Sequence, residues 1–401
     1  MLVRNTVIAM ITVLACAWFP AGAAHAQNTT CYGRAATITG TKRADRLRGT
    51  PGPDVIVAAG GDDRITGLGG NDRICAGTGE DVVDAGSGRD RVLGGLGDDE
   101  IRGGAGRDRL DGDDQDDELH GNGGNDRLIL GRIGREVEYA YGGLGRDVIV
   151  SESDAVTRAY GNKGSDRLVG HARGDFLDGG PGDDRIESGT ATFETSGAGV
   201  TVDVEAGTAT GAGTDVLVDV LGVVGSPHDD TITGGRRAEW IQGMDGDDTL
   251  YGALGDDNVA GGKGSDVVWG TRGADVLWDA ESECHFGCDA DESADEFDGG
   301  PGEDIVTYEG HRSGVTVDLQ SPTGEDGDTI TEVENLAGSW FDDHLLGTGG
   351  SNELYGLDGD DHVEARESDD LLDGGDGTDT LDGGLHTDAC HNGEVLIACE
   401  E

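Results

Sequence analysis

Large side chains and positive charge are both scarce in this chain of 401 residues. Aromatics make up 4%, and Lys plus Arg number 28 against 82 Asp plus Glu, for a formal charge of −54. So few large apolar groups do not offset the entropy of ordering 75 glycines, and a compact body at this charge must overcome its own repulsion. An ordinary oily-core domain is therefore excluded. Two states are left: disorder, or a fold in which something positive binds along the chain. Catalytic signatures are missing as well. None of the ten histidines is followed by glutamate, so there is no H-E-x-x-H helix, and no serine lies in G-x-S-x-G. The histidines are scattered, and no segment outside the repeats is large enough for a catalytic domain, so the expectation is a non-enzyme. The negative sign argues against nucleic acid as a partner.

The one long apolar run is N-terminal. Arg4 is the only charge in the first 26 residues, an apolar stretch runs from Val7 to Phe19, and Ala24-His25-Ala26 forms a small-x-small cleavage pattern. The run is too short for a membrane anchor, and no other segment would span a membrane. A secretory signal and a secreted, extracellular protein are expected. Six cysteines follow the signal: Cys31, Cys75, Cys284, Cys288, Cys390 and Cys399. An even count in an exported chain suggests disulfides. Fifteen pairings exist, and the three separated groups favour Cys31–Cys75, Cys284–Cys288 and Cys390–Cys399.

What the sequence has in abundance is a repeat of nine residues. From Gly40 to Ile129 it divides into ten units without an insertion. The sixth position is always aspartate: Asp45, Asp54, Asp63, Asp72, Asp81, Asp90, Asp99, Asp108, Asp117 and Asp126. The eighth is always aliphatic, from Leu47 and Ile56 to Leu128. A solvated Asp-Gly linker has no reason to keep that aliphatic residue. The glycines permit tight turns with carbonyls directed inward, and carbonyl and carboxylate oxygens are the ligands hard cations prefer. Each x-aliphatic-x triplet is a minimal strand that gains a place only by stacking on others ~4.8 Å apart. A loop plus a strand is half a turn, so two units close one turn and loops two units apart lie above one another.

These units resemble the haemolysin-type calcium-binding repeat of the RTX family. The resemblance implies an all-β, right-handed parallel β-roll or β-solenoid, interrupted by β-rich spacers, with many calcium ions bound between loops. It implies the sixth-position aspartates as metal ligands, and the phase recurs at Asp147, Asp166, Asp175 and Asp184. It returns at Asp230, Asp248, Asp257, Asp266, Asp275 and Asp304, and again at Asp343, Asp361, Asp370, Asp379 and Asp388. Glu239 and Asn352 replace aspartate in two units. The segments around Cys31 and Cys390 also resemble the caps of secreted bacterial proteins built almost wholly of these repeats, and exposed strand edges need such covering.

Three stretches break the phase. Leu130 to Ala140 and Ser151 to Tyr160 are expected as outward loops. Asp279 to Asp298 carries Cys284 and Cys288 around His285; a disulfide-closed loop suits it better than a zinc site. Asp289, Asp291, Ser293 and Asp295 have EF-hand-like spacing, but Ala294 and Gly300 stand where that loop needs glycine and glutamate. A larger duplication relates Thr192-Phe193-Glu194 and Gly199–Asp203 to Thr307-Tyr308-Glu309 and Gly314–Asp318. The chain is thus divided into a signal over 1–26, a cap over 27–39 and a repeat block over 40–190 with loop insertions. A spacer over 191–224 leads to a second block over 225–306 holding the acidic cysteine loop 279–298. A second spacer over 307–337, a third block over 338–389 and a cap over 390–401 complete it.

Stacking alternate units also aligns the seventh positions. One column reads Arg46, Arg64, Val82, Glu100, Glu118, and the other Val55, Arg73, Arg91, Arg109, Arg127. Four successive arginines suit a polyanion such as an acidic extracellular or cell-surface glycan. The blander account is that they offset nearby carboxylates, in ion pairs that contribute little. The role expected is a calcium-dependent structural, adhesion or matrix protein, with a non-catalytic carbohydrate-binding module as the first alternative and an extracellular enzyme with an unrecognised site as the second.

Overall fold

A triplet with one inward aliphatic residue cannot stand alone as a strand, and the triplets here pair with neighbours in the stack, most of them on both sides. The structure, a computed structural model, describes residues 30–131, 134–279, 293–321, 324 and 327–399; the expected signal sequence and the Cys284–Cys288 pair lie outside them. The described residues form strands and turns without helix, wound as a parallel β-solenoid of about 19 turns. Successive triplets alternate between two sheets, and each pairs in parallel with the triplet one turn away. Val55–Val57, Arg73–Thr78, Arg91–Leu96, Arg109–Asp114 and Arg127–Leu130 run up one sheet. Arg46–Arg48, Arg64–Thr66, Val82–Gly88, Glu100–Gly106 and Glu118–Gly124 run up the other.

The eighth-position side chains meet between the sheets. Ile56, Ile74, Val92, Leu110 and Leu128 from one sheet and Val83, Ile101 and Leu119 from the other are fully buried. They belong to one continuous cluster reaching to Leu372 and Leu381. The core is a single file of aliphatics per sheet, thin but unbroken.

Two disulfides sit at the ends, Cys31–Cys75 and Cys390–Cys399. The first lies with Val55 and Val57 in a small cluster of its own.

The expected outward loops are shorter than the sequence suggests. Val137–Gly145 and Val156–Gly164 are long strands in the second sheet. Glu138 and Thr157 take the sixth position there, and Ala140 and Ala159 the eighth, all buried. A search for aspartate and a large aliphatic passes over such units.

The two spacers share one design. In the first, Thr214–Val218, Thr208–Thr210 and Thr201–Asp203 run antiparallel to one another, and the outer two rejoin the parallel stack through Arg185–Glu187 and Thr231–Thr233. In the second, Thr329–Thr331 continues the stack from Glu296–Asp298, while Thr316–Asp318 starts a new ladder with His344–Leu346. Phe193 and Tyr308, both buried, occupy matching places.

Because Leu119 touches neighbours from the turns above and below, Leu119→Ala opens a cavity that the stack cannot close. Denaturant unfolding in calcium is expected to show a loss of about 2–5 kcal/mol.

Candidate metal centre

The loop ahead of each triplet places its sixth residue under the matching residue of the previous turn. The result is a ladder in which a backbone N–H donates to one oxygen of the next aspartate. Asp63 donates to Oδ1 of Asp81 at 2.7 Å, Asp81 to Asp99 at 2.8 Å and Asp99 to Asp117 at 3.0 Å. The same bond links Asp230 to Asp248, Asp257 to Asp275, and Asp361 to Asp379. It ends on glutamates, where Asp304 donates to Glu334 and Asp379 to Glu394.

The second oxygen divides the predicted residues into two groups. In eighteen it is buried and has no hydrogen-bond partner: Asp63, Asp72, Asp81, Asp90, Asp99, Asp108, Asp117, Asp126, Asp147, Asp166, Asp184, Asp248, Asp257, Asp275, Asp304, Asp361, Asp370 and Asp379. In all eighteen loops, and in those of Asp266 and Asp388, the residue at position two has φ between 67° and 125°. In the other five the loop closes on its own carboxylate. The Thr41 N–H donates to Oδ2 of Asp45 at 2.6 Å, and Thr50 to Asp54 at the same distance. Ser226 donates to Asp230 at 2.5 Å, Ser339 to Asp343 at 2.6 Å and His171 to Asp175 at 2.6 Å. Glu239 and Asn352 are held likewise, by the N–H groups of Gly235 and Thr348. A positive φ at position two turns that N–H away and leaves the oxygen bare. Glycine supplies this conformation at ten of these twenty loops, and at the other ten a residue with a side chain adopts it, Leu68, Met244 and Thr271 among them.

The open loops form a cradle. A Cβ on Gly94 would fall 2.3 Å from Oδ2 of Asp99 and 2.7 Å from the Gly112 carbonyl oxygen one turn on; on Gly243 it would fall 2.1 Å from Oδ2 of Asp248 and 2.4 Å from the Gly261 carbonyl. At these two positions only glycine leaves that space clear. A dry carboxylate oxygen, a converging carbonyl and no cationic side chain make a donor set suited to a hard divalent cation. The fit is good, and the ion would supply the positive charge and oxygen-ligand shell the loops lack.

The ladder also contains residues outside the predicted set. Asp215, Asp295 and Asp328 accept the N–H groups of Asp184, Asp266 and Asp295. Glu138, with an unpartnered Oε2, stands in the column too. The signal was present: Asp215-Val216-Leu217, Asp295-Glu296-Phe297 and Asp328-Thr329-Ile330 all read as aspartate, any residue, apolar. Insertions of irregular length hid the phase. A second, exposed ladder uses position five, where Asn71 accepts the Arg89 N–H at 2.9 Å and Asp360 the Thr378 N–H at 2.9 Å. The histidines are less scattered than expected: His344 and His362 lie in adjacent turns with ring centroids 4.8 Å apart.

Burial raises the ladder carboxyls, against the lowering effect of the backbone N–H, and the neighbouring aspartates raise them further. Asp81 is pushed up to about 7, Asp99 to about 8 and Asp117 to about 9. A folded value above the unfolded one means that the ion-free coil is favoured when protonated. Its stability is fully present below the ordinary value of 3.8 and is lost as pH rises through about 7 to 9. In chelator, a melting transition is therefore expected near pH 4, its midpoint falling as pH rises until no transition is left at neutral pH, and saturating calcium should restore the folded coil across the range. Circular dichroism melts across this range check both arms.

The comparisons agree with this geometry. A family model for the RTX calcium-binding nonapeptide repeat matches residues 39–74, 66–101, 93–128, 160–190, 224–259, 252–278, 337–367 and 356–388, together more than half of the chain. No curated protein matches it. Calcium-binding loops, the nine-residue spacing and the parallel coil coincide over the same segments, and the chain belongs to the family of RTX calcium-binding nonapeptide-repeat proteins.

Proposed function

We propose that this is an exported, non-catalytic protein that folds into a rigid rod on meeting extracellular calcium and serves in a structural, adhesion or matrix role. The observation that carries the reading is the file of buried aspartate oxygens without a partner. Twenty loops with the open shape would hold calcium, through the sixth-position carboxylate and loop carbonyls. The five closed loops of Asp45, Asp54, Asp175, Asp230 and Asp343 would hold their turn without an ion. Because the ligands converge only in the folded chain, binding free energy becomes folding free energy. Calcium outside the cell matches the ~10⁻⁴–10⁻³ M affinities of extracellular modules. Two disulfides suit an oxidising compartment. Among the described residues no helix is long and apolar enough to cross a membrane.

One observation favours acidic glycan as the partner. Arg73, Arg91, Arg109 and Arg127 are in register on successive strands. A shallow groove beside them is lined by Arg89, Arg107 and Arg146 as well. Such a concentration of guanidinium groups in a chain of charge −54 suits bidentate contact with carboxylate or sulfate groups spaced along a polymer.

Two measurements test these readings. At neutral pH, far-UV circular dichroism in chelator should show a disordered chain that gains β-structure on calcium addition; cooperative melting after exhaustive chelation would overturn the central claim. Within the folded chain, Asp248→Asn should weaken calcium binding at its loop, whereas Asp230→Asn should leave the number of bound ions unchanged. For the partner, Arg91→Ser with Arg109→Ser should reduce retention on an acidic glycan at least tenfold in calcium, and equal retention removes the glycan reading.

A further inference from the structure

Where the second spacer packs against the ends of the acidic loop, a buried set of carboxylates gathers that the predicted loop aspartates do not account for. Asp279, Asp295 and Asp328 are 2%, 3% and 0% exposed, and one oxygen from each lies within 4.8 Å of an oxygen of the other two. Among the described residues no other three buried acidic groups gather so closely. Oδ1 of Asp295 accepts the Asp266 N–H at 2.8 Å, while its Oδ2 is buried with no partner. Asp328 accepts the Asp295 N–H at 2.9 Å through Oδ1 and the Tyr308 hydroxyl at 2.8 Å through Oδ2. His311, itself buried, holds Oδ2 of Asp279 through Nε2.

The first spacer shows which of these groups are additions. Asp184 and Asp215 correspond there to Asp295 and Asp328, with the same N–H bond at 2.9 Å. Phe193, Ser196 and Gly179 stand at the places that Tyr308, His311 and Asp279 take at the second copy. The first spacer has a third buried acid nearby, Asp178, but Thr195 holds it and it does not gather with the other two; the close third carboxylate, the imidazole and the phenol hydroxyl occur together only around Asp295 and Asp328 among the described residues. One imidazole against three carboxylates leaves negative charge in a dry site, a state that is costly without a counter-ion.

We propose that Asp279, Asp295 and Asp328 bind one further hard divalent cation, with His311 and Tyr308 as positioning residues. Three carboxylates and no thiol favour an oxygen-preferring ion. An imidazole turned toward a ligating carboxylate, and a hydroxyl toward another, fix the ligands in the manner of outer partners at metal sites. This extends the calcium reading to a site outside the nonapeptide pattern.

Native mass spectrometry of the mature chain, loaded with calcium alone, counts the ions directly. Asp279→Asn is expected to carry one ion fewer than the wild type, and Asp328→Asn likewise. Equal, non-zero counts overturn this site and leave the loop reading intact, whereas a wild type without ions sinks the loop reading. If neither variant reaches the calcium-loaded circular dichroism spectrum, Tyr308→Phe decides, since Phe193 shows that the fold accepts phenylalanine in this position. With terbium as the probe, tyrosine-sensitised emission should drop in that variant, and undiminished emission overturns the site.

Discussion

Most turns of this coil are joined to the next through a carboxylate that is satisfied on one oxygen only. The N–H of one aspartate fixes the next at 2.6–3.0 Å, and this bond sets the register of both sheets. The same arrangement turns the other oxygen into a dry space that holds no cationic side chain. Alignment and repulsion therefore have a single origin. The aliphatic file between the sheets is continuous from Ile56 to Leu381, so the sheets adhere to each other by burial. The loops, whose glycine backbones gain nothing from burial, depend on charge neutralisation. Cohesion is divided between the two, with oil in the middle and ions along the margins.

Much of this was legible in the sequence because the period is strict where the structure is regular. Ten units without an insertion fix the parallel stack, the two sheets, the buried eighth position and the column of aspartates. What escaped was the backbone conformation of position two. Thr41, Thr50, Ser226 and Ser339 mark closed loops, yet Leu68 and Thr271 occupy open ones, so residue type alone does not separate the classes. Irregular insertions hid Asp215, Asp295 and Asp328, and Glu138 and Thr157 escaped because their units carry alanine in the core position. In each case the fold tolerates a unit that a strict pattern rejects, because the ladder asks only for an acceptor at the right height.

The spacers show how such a stack absorbs irregular chain without losing its line. Thr201–Asp203, Thr208–Thr210 and Thr214–Val218 reverse direction twice within one sheet, and the parallel order then resumes on both sides of them. Three strands in one sheet accompany a single step in the other, from Thr190–Thr192 to Gly222–Val224. Buried Phe193 and Tyr308 lie at the matching place in the two spacers. The second of these places is also where Asp279, Asp295 and Asp328 gather.

Pairing between triplets two units apart gives the molecule a parity. Removing or adding two units changes only its length, since every later strand keeps its sheet, its outward columns and its partner at the end. Removing one unit would exchange the sheets for everything downstream. It would carry the arginine column of one face into line with the acidic column of the other, and would bring the closing segment around Cys390 to the wrong edge. Growth of such a rod is therefore quantised in whole turns.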